Sequence, residues 1–242
     1  MPHRERVRRC VAAGGQEFIM FGVPVVALGG LPTDRPLPVE GVPRDYGTPV
    51  GSRWETIRVV TGIGRVAQTR QVGHVGVDWA RVMVADADAL GCWQHEEPLD
   101  GLADVVIWGL HAAEAAAAHD APPLSIAGEN DMYGWQDLDI EEAADRAAAI
   151  EEWRTVDPTR RLGLDFRPHS HHWQVMREVH ASPEETGTVD VGGARLLCAM
   201  TSWGDGIFGV HADYDETGTL LAVRIVLGDD ARAARLAALY RR

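Results

Sequence analysis

Among the ten histidines and 36 carboxylates of this chain, spacing has to select the ones that could act together. The densest run is Arg167-Pro168-His169-Ser170-His171-His172-Trp173. In an extended segment alternate side chains share a face, so His169 and His171 would project together and His172 away from them. His211 and Asp213 repeat the spacing just after Gly204-Asp205-Gly206. Phe208, Val210, Ala212 and Tyr214 make the apolar side of that segment, which leaves His211 and Asp213 on the other. If the two segments are neighbouring strands, His169, His171, His211 and Asp213 form a metal set suited to zinc or iron. Without metal, Asp205, His211 and Asp213 could act with Asp78 or His74, because an imidazole beside a carboxylate exchanges protons near neutral pH. Each residue also has a structural reading: an exposed histidine-rich loop, a strand-end bond for Asp78, and a turn bond for Asp205.

Other motifs fall away on inspection. His95-Glu96-Glu97 has no second histidine four residues on, so helical zinc-protease chemistry is absent. Ser202 is not framed by the glycines of a nucleophile elbow. Gly62-Ile63-Gly64 lacks the third glycine and the following helix of a dinucleotide loop. Glu129, Asp131, Asp137 and Asp139 miss the calcium-loop spacing. Cys10, Cys92 and Cys198 show no paired spacing and read as free, buried thiols.

The elements that must position these groups read as follows. Residues 17–28 are apolar and break near Gly22 and Pro24 into one or two strands. Residues 29–53, rich in Pro and Gly, predict a long loop. Strand character returns over 54–61 and 73–84. Asp86 predicts the cap of a helix reaching about His95. A short strand at 105–108, an alanine-rich helix at 110–119, a strand at 133–138 and a helix at 140–153 capped by Asp139 follow. From 162 to 228 the pattern predicts an antiparallel meander, with Trp173 to His180 alternating. Gly192-Gly193 and Asp215-Glu216-Thr217-Gly218 mark its hairpin turns. A helix over 229–242 carries Leu236, Leu239 and Tyr240 as a packing stripe. The sum is an α+β fold with a mixed or mainly antiparallel sheet, a C-terminal β-meander and flanking helices. No linker composition divides it, so residues 1–242 read as one domain.

The run Ala199-Met200-Thr201-Ser202-Trp203-Gly204-Asp205-Gly206-Ile207-Phe208-Gly209-Val210 resembles the closing signature of the bacterial domain-of-unknown-function family 4241. In that family an Asp-x-x-Gly turn and a last apolar strand follow, as Asp215 to Gly218 and Leu220 to Leu227 do here. Gly73 to Asp86 is similar to a second signature, a strand pair ending in Asp. The resemblance covers about a third of the chain and implies a shared fold, with no activity attached.

Composition bounds the partners. Charge is −13, from 23 Lys+Arg against 36 Asp+Glu, which repels phosphate backbones and argues against nucleic acid. Arg4, Arg6, Arg8 and Arg9 precede an apolar run as in a leader peptide, but Gln16, Glu17 and Pro24 interrupt the pattern. The run is too short for a membrane span, and a cytoplasmic protein is expected. Eight tryptophans exceed four Phe and four Tyr, and Trp79, Trp108 and Trp203 are candidates to line a pocket or the core. The expected function is small-molecule enzymology at the His/Asp cluster; the alternative is a non-catalytic module for a basic protein partner.

Overall fold

The computed structural model describes residues 17–20, 22–32 and 34–240. Strands β1 (Glu17–Met20), β2 (Val23–Val26), β3 (Val39–Asp45), β4 (Ser52–Val60), β5 (Gln68–Val77) and β6 (Arg81–Val84) come first. Then follow β7 (Leu102–Trp108), α1 (Ala112–His119), β8 (Tyr133–Asp139), α2 (Ile140–Val156), β9 (Gly163–Pro168) and α3 (His171–Ala181). The chain closes with β10 (Thr186–Val191), β11 (Ala194–Met200), β12 (Gly206–Tyr214), β13 (Leu220–Val226) and α4 (Asp230–Leu239). The class is α+β and mainly antiparallel. Two compact units form, Met1–Val82 with Met200–Arg242, and Met83–Ala199. Both crossings between them fall inside strands, β6 and β11, so no linker composition marks them.

The first unit is built on an antiparallel sheet of order β3-β4-β13-β12-β5, with the β1–β2 hairpin beside it. In register across it, Ile57 faces Ile225 and Ile225 faces Val210. Phe208, Val210 and Ala212 are buried, as strand alternation requires, and His211 lies on the opposite face. Asp215 makes the β12–β13 turn: its Oδ1 accepts from the Thr217 and Thr219 N–H groups, and Gly218 supplies the left-handed residue.

The second unit centres on a sheet of order β8-β7-β9, with a further sheet β10-β11-β6. Ala103, Val105 and Ile107 of β7 are fully buried. Against them pack Ala112, Ala115 and Ala116 of α1 and Ala143 and Ile150 of α2. Alanine at the contact lets helix backbones approach the sheet, while Tyr133, Trp135, Trp153 and Leu164 fill the rim. Asp139 caps α2 by accepting the Glu141 N–H, 3.0 Å away. The Gly192-Gly193 turn of β10–β11 has positive φ at both glycines.

Five expectations need correction. Residues 29–53 are not all loop: β3 pairs with β4, and its Pro43 is tolerated because β3 is an edge strand with a register shift at Val42/Pro43. The Asp86 helix is only a 3-10 turn, Ala89–Cys92, begun by Asp86 Oδ1 on the Ala89 N–H. Residues 173–180 are helix, not strand, so α3 interrupts the meander. Its buried residues His171, Val175, Met176 and Val179 follow a 3.6 period that competed with the alternation. In α4 the stripe is not core, since Leu239 and Tyr240 are 66% and 70% exposed. Cys92 is exposed while Cys198 is buried. Cys10 and the terminal arginine clusters lie outside the described residues. Trp203 is core and donates to the Trp54 carbonyl, whereas Trp79 is largely exposed and Trp108 about half exposed. Among the described residues no helix is long and apolar enough to cross a membrane.

Ile150→Ala should cost about 2–5 kcal/mol, the range for removing a fully buried aliphatic side chain, while Leu110→Ala at an exposed position should change stability by less than about 0.5 kcal/mol. Urea unfolding of both variants checks this.

Candidate functional site

The Gly-Asp-Gly corner does a structural job. Asp205 Oδ1 accepts the Ala80 N–H at 2.7 Å, and Asp78 Oδ1 accepts the Trp79 N–H at 3.1 Å. Trp79 and Ala80 are both left-handed, φ 63° and 57°. The two carboxylates therefore serve one strained turn, and both are exposed. Ser202, also left-handed, accepts the Trp54 N–H through its hydroxyl.

Asp213 is buried and committed. Arg224 reaches it through Nε and Nη2, at 2.6 and 2.9 Å, and Thr69 Oγ1 donates at 2.6 Å. Burial pushes the Asp213 carboxyl up, but the hydrogen bonds from Arg224 and Thr69 and the charges of Arg224 and Arg58 outweigh it, leaving the group below its ordinary range. His211, the cross-strand partner of Arg224, has its Nδ1 buried with no hydrogen-bond partner among the described residues.

In the second unit, the premise that His169 and His171 share an extended face fails at Ser170. Pro168 ends β9, and Ser170 takes the cap position of α3, its Oγ accepting the Trp173 N–H at 3.4 Å. His171 is thereby the first helical residue. Its Nδ1 accepts the Gln94 N–H, its ring stacks on Trp93, and burial lowers its proton affinity. The four residues of the expected metal set are thus divided between the two units, and Asp213 and His171 are engaged within their own.

His169 finds different company. Its Nδ1 lies 2.8 Å from Asp100 Oδ2, and its Nε2 lies 3.1 Å from Asp104 Oδ1 and 3.8 Å from Asp137 Oδ1. Its backbone is fixed by the bonds His169 N–H to Leu102 O and Leu99 N–H to His169 O. Asp100 is held in turn by its Oδ1 accepting the Leu102 N–H. A register shift between Ala103 and Val105 in the β7–β8 ladder, with Asp137 at φ 55°, brings the Asp137 N–H to Asp104 Oδ1 at 3.0 Å. Bulges of this kind re-aim side chains. Ligand atoms of Asp104, Asp137 and His169 all lie within 4.8 Å of one another.

Sequence reading missed Asp100 and Asp104, and weighed Asp137 only as part of a calcium loop. One signal existed: Asp104 alternates with Ala103 and Val105, which places a carboxylate on the second face of a buried strand. Its partners come from β9 and a bulge, and no spacing reveals those.

Electrostatically the centre favours cations. Burial lowers the proton affinity of His169, yet the hydrogen bonds and charges of Asp100 and Asp104 reverse this and raise its pKa. For Asp100, burial pushes up, while the bond from His169 and the Leu102 N–H bring it below the usual range. Next along the same face, Arg167, the cross-strand partner of Asp104, is bound by Glu129 and Asp165.

Fold and site together define an α+β chain with a histidine held among aspartates at a strand bulge. No protein-family model, curated protein or solved structure matches the chain.

Two outcomes follow from these shifts. Because the folded pKa of Asp213 is depressed, its contribution is present at neutral pH and lost as pH falls through that value, below about 4. Asp213→Asn should therefore lower Tm at pH 7 and narrow the gap from the parent toward pH 3, read by thermal scans. Because the folded pKa of His169 is raised, its contribution is full below about 6.5 and lost as pH rises through the folded value. NMR should place the His169 midpoint above that of His171, and Asp100→Asn should bring it down.

Proposed function

We propose that the second unit binds a divalent first-row cation through Asp104, Asp137 and His169, and that the protein uses it on a small-molecule substrate. The supporting observation is the convergence of His169 Nε2, Asp104 Oδ1 and Asp137 Oδ1 within one ligand-sized space. The surrounding bonds fit that use. With Nδ1–H donated to Asp100, the Nε2 lone pair faces the other two carboxylates. A carboxylate behind a ligating histidine fixes its tautomer and raises its basicity. One imidazole and two carboxylates suit zinc, iron(II) or manganese. Asp137 is 77% exposed on its side chain, which leaves room for water and a substrate oxygen on that side. Such a cation polarises a bound carbonyl or phosphoryl group and lowers the pKa of bound water.

Acid–base work without metal is the second reading. Both ring nitrogens of His169 face carboxylates and its proton affinity is raised, as in a proton-transfer pair.

Calorimetric titration of the full chain with Zn²⁺ and Mn²⁺ separates the two. The metal reading expects one saturable site, abolished by His169→Ala or Asp104→Asn and weakened about 10- to 100-fold by Asp100→Asn. His211→Ala should leave it unchanged. Absence of a saturable site for either ion overturns the metal reading and leaves acid–base chemistry.

A further inference from the structure

Helices α1 and α2 pack on the same face of the β8-β7-β9 sheet but differ in length, 8 residues against 17. With a constant rise per residue, α1 reaches only about half as far as α2. Its alanines pack with Ile150 and Trp153, in the second half of α2. The first half of α2 continues past the end of α1, and Trp135 of β8 packs there against the cluster that holds Ala143. Where α1 stops, at His119, a cavity of about 360 Å³ opens, a volume at the lower end of small-molecule sites. Glu142, Asp145, Arg146 and Ala149 line it with Trp135 and His119. The four from α2 follow the spacing that puts side chains on one helix face, and the small Ala149 leaves the space between the helices open.

The lining is acidic and incompletely paired, with two carboxylates against one guanidinium. Arg146 donates through Nε and Nη2 to Glu142 Oε1 at 3.0 and 2.7 Å. Glu142 Oε2 and both oxygens of Asp145 accept no bond among the described residues. The indole of Trp135 already carries a cation, because the Arg146 guanidinium carbon lies 4.5 Å from the ring centroid. Aromatic faces attract cations in this way, so Arg146 shows which kind of group this wall receives. His119 adds its ring, edge-on to Trp153, and its Nε2 is buried and offers no bond to the cavity. The carboxylates do not make a metal site, since the ligand atoms of Glu142, Asp145 and His119 do not converge within 4.8 Å.

We propose that this cavity binds a small planar organic cation, an amidinium or guanidinium compound, between the Trp135 ring and the Asp145 carboxylate. An anion needs free donors, and the lining guanidinium is already bonded to Glu142. A neutral apolar molecule would strip water from Asp145 and return no bond. A flat organic cation suits every wall: its face lies on Trp135, and its paired N–H groups reach Asp145, whose carboxylate accepts two in parallel. Arg146 is the competitor. It holds the indole face in this structure, and its side chain is 37% exposed, so it can swing outward on its flexible stem as the ligand takes its place. The site is independent of the cation centre at His169. Trp135 pairs with Val105 on the helix side of the sheet, and the neighbouring Asp104 lies on the other face.

The test titrates the full-length chain with benzamidine, and separately with benzamide, at constant ionic strength. The two compounds have nearly the same shape and differ in charge. The readout is the NMR signal of the Trp135 indole N–H, assigned with Trp135→Phe. The expected result is a saturable change with benzamidine and none with benzamide over the same range. Asp145→Asn should weaken benzamidine about two- to fivefold, the scale of one exposed ion pair. Arg146→Gln should tighten it, because that change removes both the competitor for the indole and a like charge. Glu216→Gln, at an exposed carboxylate of the other unit, should leave it unchanged. Equal responses to the two compounds, or no response to either, would overturn the proposal. So would undiminished binding in Asp145→Asn, or weaker binding in Arg146→Gln, which would show that Arg146 only builds the wall.

Discussion

The second unit depends on burial of both faces of one strand. In β7 the residues Ala103, Val105 and Ile107 meet the helices, while Val106 on the other face is equally buried. A central strand has no free backbone donors to slip with, and a shift of one residue would drive Asp104 into the alanine-lined helix contact. Asp104 is therefore fixed where His169 emerges from β9. The neighbouring bulge then adds Asp137, at the expense of one left-handed non-glycine residue.

Charge, not cavity shape, distinguishes the centre around His169. Around His169, Asp100, Asp104 and Asp137 outnumber the cation they surround, so the space between them favours added positive charge. On the five-stranded sheet the charges balance instead, with Arg224 on Asp213 at 2.6 Å and Arg58 3.4 Å from Glu40. A surface ion pair is worth little, but an uncompensated group next to a buried one is costly. Such imbalances point to function more clearly than a completed pair does. The completed pairs here are structural: Arg224 with Asp213 ties β13 to β12, and Arg195 with Asp190 closes the β10–β11 hairpin.

Much of the secondary structure was readable because its causes are local. Gly192-Gly193 and Asp215 to Gly218 make the turns they predict, Asp139 caps its helix, and Phe208, Val210 and Ala212 choose the buried face by alternation. Readings failed where two local rules competed. Residues 171–181 satisfy a strand alternation in part, yet Ser170 caps and the 3.6-residue stripe packs, so helix wins. Pro43 argued for loop, and an edge position with a register shift admitted it to a strand.

The amino-acid order alone therefore determined the α+β class, the two C-terminal hairpins, the capped helix after Asp139 and the inventory of imidazoles and carboxylates. It could not determine which of those groups meet. The partners of His169 lie 69, 65 and 32 positions away, and those of Arg58 stand on other strands. Register and a bulge set these contacts, and both are outcomes of packing the whole sheet. Tertiary structure thus drew His169 away from His171 and toward Asp100 and Asp104, because capping and burial are satisfied over the entire unit and not within seven residues.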